Sequence, residues 1–311
     1  MTNSHSSRLA RTLRGITFAG ALIALPAFAA GGAPRVFPQP EEAAAALVDS
    51  LKAADGKAVL AVLGGKARDW VFTGDRPTDI KVWQSFVEAY DAQHTVVEVA
   101  DGRAVLIVGP GRYPFSFPIM RVAGGWRFDA EQGKEELINR RVGMNELSTI
   151  EVLKEVVAAQ REYALMDRNG NGSPEYAARF TSSEGKRDGL YWQTAEGEAP
   201  SPLGPLVADA QAEGYGKHAR GAPFHGYLFK MLTGQGPDAV GGAQTYTVNG
   251  LVGGFAVLAY PAKYGLSGVK SFIVNQNGVI LEKDLGANTA AIAAKTTLFN
   301  PDKGWTPVAK R

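Results

Sequence analysis

The chain has 311 residues with 33 Lys and Arg against 31 Asp and Glu, and it has no cysteine. Removing residues 1–29, which hold Arg8, Arg11 and Arg14 and no acid, leaves 30 basic residues against 31 acids, a net charge of −1. A near-neutral chain whose basic runs stop at pairs such as Arg140-Arg141 has no field to hold a polyanion, so nucleic acid is excluded as a partner, and the absence of Cys excludes disulfides and thiol chemistry.

The first 29 residues have the plan of a secretory signal peptide: three arginines, an uncharged run from Gly15, and a small-x-small ending at Ala27-Phe28-Ala29, with cleavage expected after Ala29. The apolar run falls short of the ~20 residues a membrane span needs. No Cys follows it as a lipid anchor would require, and Arg8 and Arg11 are not adjacent as in a twin-arginine signal. The expected location is periplasmic or secreted, with no membrane span once the signal is removed.

Helices come first after a Gly/Pro-rich stretch. Residues 41–54 place Ala43, Leu47, Val48 and Leu51 on one stripe with acids in the first turn. A short helix follows over Lys57 to Leu63, and residues 79–92 space Val82, Trp83, Phe86, Val87 and Tyr90 at helical intervals behind Asp79 as N-cap. The period then changes to that of strands: His94 to Val99 and Ala104 to Val108 flank a turn at 100–103, and Phe115 to Arg121 and Trp126 to Phe128 flank Gly124-Gly125. Helices followed by an antiparallel meander predict an α+β unit with helices on one face of a curved sheet, an order that resembles the nuclear-transport-factor-two-like fold and carries no function with it.

Residues 131–142 read as a linking helix, and Ile150, Leu153, Val156, Val157, Gln160 and Tyr163 as the stripe of a long one, ending in an Asp/Asn/Gly loop and a second short helix. A loop-rich stretch leads to a short helix over Leu206 to Glu213. Strands are then predicted at Gln244 to Val248, Gly253 to Tyr260, Val269 to Val274 and Val279 to Lys283, the last two joined by Asn277-Gly278, before a final helix over Thr289 to Thr296. The division expected is an N-terminal α+β domain over 36–142 and a C-terminal α+β domain over 143–311.

One motif has the spacing of a cation site. Asp167, Asn169, Asn171 and Gly172 fit positions 1, 3, 5 and 6 of an EF-hand loop, with Glu175 at position 9. Position 12, where a bidentate Glu belongs, is Ala178, so calcium at this loop is expected to be weak or absent and no other cofactor is expected; Asn-Gly turns alone account for the loop as a helix terminus. His218 and His225 fit no zinc spacing, and no serine sits in a Gly-x-Ser-x-Gly elbow. The irregular region containing GKRDGLYW (185–192), SPLGPL and His225 collects aromatics and charges, which marks Arg187, Asp188, Tyr191, Trp192 and His225 as a candidate ligand or partner surface.

Separated signatures across the chain identify a resemblance. These are FP-x-P-EEA at Phe37 to Ala43, GGWRFD at 124–129, Asn145-Glu146-Leu147, AQREYA at 159–164, GKRDGLYW, SPLGPL, and the terminal FIVNQNGV with KDLG. Together they resemble the bacterial family called domain of unknown function 2950 over roughly residues 36–308, which implies an exported protein and assigns no activity, cofactor or catalytic residue. The AAQREYA segment with its following loop is also similar to the helix-to-loop junction of pseudopilin-like secretion proteins, although no long apolar helix precedes residue 145. The expectation is an exported, non-enzymatic binding or envelope-assembly module acting on an envelope protein or small ligand. The competing expectation is an envelope hydrolase with an acid/base pair drawn from Asp167, Glu175, Asp188 and His225.

Overall fold

The computed structural model describes residues 32–215 and 222–309. The signal-peptide reading and His218 lie outside the described residues. The architecture is α+β, as the order of periodicities predicts.

Four helices open the chain: α1 (Pro40–Lys52), α2 (Gly56–Leu63), α3 (Arg68–Val71) and α4 (Arg76–Ala92). Helix α2 is started by the Asp55 carboxylate, which accepts the amides of Lys57 and Ala58. The N-cap of α4 is Asp75, four residues earlier than Asp79. Asp79 is buried and accepts instead from the amide and hydroxyl of Thr73. The signal for the earlier start was Pro77 in the first turn, where its missing N–H costs nothing.

Strands β1 (His94–Ala100), β2 (Arg103–Val108), β3 (Tyr113–Pro114), β4 (Ile119–Val122) and β5 (Gly125–Phe128) form an antiparallel sheet in the order β1-β2-β4-β5, with β3 on β2. Ala104, Leu106, Val108, Ile119, Trp126 and Phe128 point to one face and join Leu47, Val59, Trp70 and Trp83 of the helices in the first core. Phe37 pairs with Trp126 and ties the start of the described chain to the outer strand.

The predicted linking helix and the long helix are one element, α5 (Lys134–Tyr163), 30 residues without a break. The expected boundary at 142/143 therefore falls inside a continuous helix. The second short helix expected directly after the Asp/Asn/Gly loop does not form; residues 168–173 bend and residues 174–177 are irregular. Helix α6 (Gly204–Ala212) follows, then β6 (Tyr227–Leu232), β7 (Gly234–Gln235), β8 (Gln244–Thr245), β9 (Thr247–Val248), β10 (Leu251–Val252), β11 (Ala256–Pro261), β12 (Lys270–Asn275) and β13 (Leu281–Asp284), and finally α7 (Thr289–Lys295), β14 (Leu298–Phe299) and β15 (Thr306–Pro307).

The second large sheet runs β15-β13-β12-β11-β6. Its members β11 and β12 are buried on both faces: Val257, Ala259, Phe272 and Val274 face α5, while Ala256, Leu258 and Ile273 face Ala293 of α7 and Phe299 of β14. Strand β6 was missed in the sequence because Tyr-Leu-Phe-Lys-Met-Leu has no alternation, yet it pairs with β11 along its length. The Asn277-Gly278 turn closes through the Gly278 amide on the Asn275 carbonyl, with Gly278 at φ +76° and Asn277 outside the left-handed region. That is the longer hairpin connection ending in a left-handed glycine, in place of a two-residue turn with two positive φ values.

Helix α5 joins the two cores. Its first half packs Leu137 and Ile138 on the first core, and Arg141 donates to the Trp70 carbonyl at 2.6 Å. Its middle holds the far sheet by polar contacts: Asn145 Nδ2 donates to Ser267 O at 2.8 Å, and Glu146 accepts from the amides of Val269 and Lys270 at 3.0 and 2.9 Å. Its second half buries Val152, Leu153, Val156, Val157 and Tyr163 in the second core. Removing Leu153 side-chain atoms should therefore cost far more than removing those of Met144 on the same helix, which is 50% exposed. Urea unfolding of Leu153→Ala is expected to show a loss of about 3 kcal/mol, and Met144→Ala a change within about 0.5 kcal/mol.

Candidate functional site

The C-terminal end of α5 places the first group of candidate residues. Asp167 folds its carboxylate over the turn that follows, accepting from the amides of Gly170 at 2.7 Å, Asn171 at 3.2 Å and Gly172 at 2.8 Å. These bonds, the one from Gly172 foremost, hold its carboxyl below the usual range. Gly170 and Gly172 sit at φ +77° and +93°, which is why glycine occupies both positions. Glu175 is buried and accepts from the Val252 amide at 2.6 Å, from Asn171 Nδ2 at 2.6 Å and from Asn169 Nδ2.

The structure thus brings Asp167, Asn169, Asn171 and Glu175 into one network. Its polarity is that of a self-satisfied turn: the asparagine NH₂ groups face Glu175, and their carbonyl oxygens accept the amides of Asn171 and Ser173. Among the described residues no three His, Cys, Asp or Glu side chains are grouped to hold a metal ion. A cation at this loop would have to displace three donors from Glu175, which binds the loop to the β9–β10 hairpin through Val252.

Tyr163, one turn before the loop, is the hub of the region. Its hydroxyl donates to the Arg187 carbonyl at 2.5 Å, and burial, reinforced by the charges of Glu175 and Asp188, pushes it up to about 12. Asp188 accepts from the amide and hydroxyl of Ser183 at 2.7 and 3.0 Å, with Arg179 3.7 Å away. Burial is the largest influence on this carboxyl and raises it, but the two Ser183 bonds and Arg179 together hold it below its ordinary value.

Arg187 pairs with Glu198 and lies over the Trp192 ring at 5.4 Å, and Arg168 lies at 5.9 Å from the same ring. Tyr191 and Trp192 pack beneath against the second core, with the Tyr191 amide donating to the Phe180 carbonyl. The candidate surface is therefore a loop whose aromatic side faces inward and whose guanidinium side faces solvent.

His225 lies elsewhere. It occupies a tight turn between Phe224 and Tyr227, with φ +49° at His225 and +77° at Gly226 and reciprocal backbone bonds between the flanking residues. Its ring Nε2 is 3.4 Å from Glu213, which in turn pairs with Lys81 at 2.7 Å. Burial lowers the imidazole's pKa against the opposing pull of Glu213 and Asp75. The turn also aims two successive amides outward: His225 N–H to Tyr215 Oη at 3.0 Å, and Gly226 N–H to the Asp75 carboxylate of the N-terminal half at 2.8 Å. Tyr215 O–H donates to Asp75 at 2.9 Å, and burial raises its pKa above the ordinary phenol range. Asp75, Glu213 and Tyr215 were missed in the sequence, since a capping Asp, a helix-end Glu and a lone Tyr have no spacing that ties them to residue 225.

With this geometry in place, comparison with known proteins matches residues 34–308 to the family described as "Protein of unknown function (DUF2950)", and the chain belongs to that family. No curated protein and no solved structure matches the chain. The similarity to pseudopilin-like proteins finds no support in these comparisons.

Two outcomes follow from this geometry. Isothermal titration with calcium is expected to give a dissociation constant weaker than about 0.1 mM or no heat, since the loop lacks the carboxylate count of tight sites; sub-micromolar affinity lost in Asp167→Ala would refute this. For His225 the folded pKa lies below the unfolded value near 6.5, so the folded state binds fewer protons and stability falls as pH drops through that value. His225→Asn, which tolerates the left-handed backbone, should flatten the fall in thermal midpoint between pH 7 and pH 5 by about 2 °C.

Proposed function

We propose that this member of the DUF2950 family is an exported envelope protein that acts as a non-enzymatic binding or assembly module. Its partner, an envelope protein or small ligand, meets the loop face of Arg187, Asp188, Tyr191 and Trp192, with His225 as a separate contact. Export is supported by the charge and apolar pattern of residues 1–29. Consistent with a mature protein that has left the membrane, no helix among the described residues is long and apolar enough to cross one.

The observation that carries the reading is how the candidate carboxylates are used. A catalytic acid or base needs a lone pair or proton turned toward substrate. Asp167, Glu175 and Asp188 each accept backbone amides, and Glu175 also takes two asparagine side chains. The competing hydrolase reading also needs a histidine near them, whereas the charged neighbours of His225 are Glu213, Asp75 and Lys81. The Arg187 guanidinium, paired with Glu198 and 53% exposed on its Trp192 base, is the group offered for recognition.

The test uses the mature protein. Screened against hydrolase substrate panels it should show no turnover, and turnover abolished by a point change at His225 would overturn the proposal. Cross-linking in its own envelope fraction should capture a partner at least ~10-fold less efficiently in Arg187→Glu, a loss of about 1.4 kcal/mol, with the thermal midpoint unchanged.

A further inference from the structure

We propose that Asn249-Gly250, the tip of the β9–β10 hairpin, is a self-modification site: the Gly250 amide nitrogen closes on the Asn249 side chain, and the product releases the hairpin from Glu175. The sequence holds Asn-Gly pairs at 169–170, 171–172, 249–250 and 277–278. In each, glycine leaves the attacking nitrogen without a side chain beside it. Hydrogen bonding separates them. The Gly170 and Gly172 amides are committed to the Asp167 carboxylate at 2.7 and 2.8 Å, and the side-chain nitrogens of Asn169 and Asn171 to Glu175. The Gly278 amide donates to the Asn275 carbonyl at 2.8 Å, in a turn held between β12 and β13 of the second large sheet. A nitrogen whose proton is held by an acceptor must break that bond before it can lose the proton and attack. At 249–250 this obstacle is absent: among the described residues neither the Gly250 amide nor the Asn249 side chain has a hydrogen-bond partner, and both residues are exposed.

Asn249 at φ +51° and Gly250 at +83° form a two-residue turn closed by Val248 and Leu251. Ring closure needs Asn249 to swing out of that left-handed conformation, and the hairpin permits it. Its sheet has two strands with two pairs between them, and Val248 at its tip is 60% exposed, so opening it costs little. The step balances with water as the sole co-reactant. Gly250 N gives its proton to solvent and attacks Asn249 Cγ; the N–Cγ bond forms, the Cγ–Nδ2 bond breaks, and the side-chain nitrogen leaves as ammonia, with a cyclic imide left in the chain. Water then opens the imide at either carbonyl. Opening one gives aspartate, and opening the other gives isoaspartate, whose main chain carries an extra carbon. No atom is oxidised or reduced. A lengthened main chain cannot close a two-residue turn in this register. The base of the hairpin is tied to the loop after α5 by the Val252 amide on Glu175 at 2.6 Å and the Tyr176 amide on the Val252 carbonyl at 3.0 Å. The isoaspartyl form loses the ordered strand that presents Val252, and Glu175 keeps only its two asparagine partners. None of this depends on the loop face that carries the proposed function, so either can fail without the other.

The test is a peptide map by mass spectrometry of the mature protein held folded in mildly alkaline buffer. Each asparagine is read by the mass gain of exchanging nitrogen for oxygen, and isoaspartate is counted by methyl transfer from an isoaspartyl methyltransferase. Asn249 should convert at least ~10-fold faster than Asn169, Asn171 or Asn277, the equivalent of about 1.4 kcal/mol of barrier. In urea, where the hydrogen bonds at the other sites are gone, the four rates should draw together. Amide exchange at Val252 should quicken in the isoaspartyl protein and stay unchanged in Asn249→Gly kept in the same buffer. Conversion led by another asparagine, a ranking that survives unfolding, or Val252 protection that persists in the isoaspartyl protein would overturn the proposal.

Discussion

The fold depends on one helix being buried in two places at once. Residues 141, 145, 149, 152, 153, 156, 157, 160 and 163 form a continuous buried stripe along α5. That stripe serves the first core at one end, the second core at the other, and a polar waist between. A helix cannot bend at the waist without breaking its own hydrogen bonds, so its stiffness fixes the spacing of the two sheets. The waist is polar because sheet backbone ends there. Asn145 and Glu146 satisfy the carbonyl of Ser267 and the amides of Val269 and Lys270, groups that would otherwise be buried without partners.

The same logic explains the second bridge between the halves. Asp75 caps α4 and is nearly inaccessible, a position a carboxylate occupies at low cost only when it is fully hydrogen-bonded. The Thr78 amide, the Tyr215 hydroxyl and the Gly226 amide supply the bonds. Supplying the last of these requires Gly226 at φ +77° and His225 at +49°, and any Cβ at 226 would collide with the Asn145 side chain. The strained His225 backbone is thereby accounted for by the junction it closes.

How far the sequence could be read differs by element. Short helices were legible from local signals: α1 from its first-turn acids and apolar stripe, and α2 from an apolar run that stops at Gly64-Gly65. The continuity of α5 was not, because Arg140-Arg141, Gly143 and Asn145 interrupt the apolar period where the helix crosses between cores. Strand β6 was hidden for the opposite reason, since a strand half-covered on both faces has no period of two. At the candidate site the four residues of the 167–175 loop were found together because a local turn is encoded by contiguous residues. The inward orientation of Trp192 and the company kept by His225 depend on residues as far as 150 positions away.

The sequence by itself determined the family, through signatures spread along the chain, and the α+β class, the local turns and the position of most elements, which follow from spacing within a dozen residues. Tertiary structure alone decided that Asp167, Glu175 and Asp188 are backbone acceptors near Tyr163 and that His225 sits beside Glu213. The physical reason is that periodicity records which side of an element is apolar. What that side meets, and which lone pairs remain free, is fixed only when distant segments are packed together.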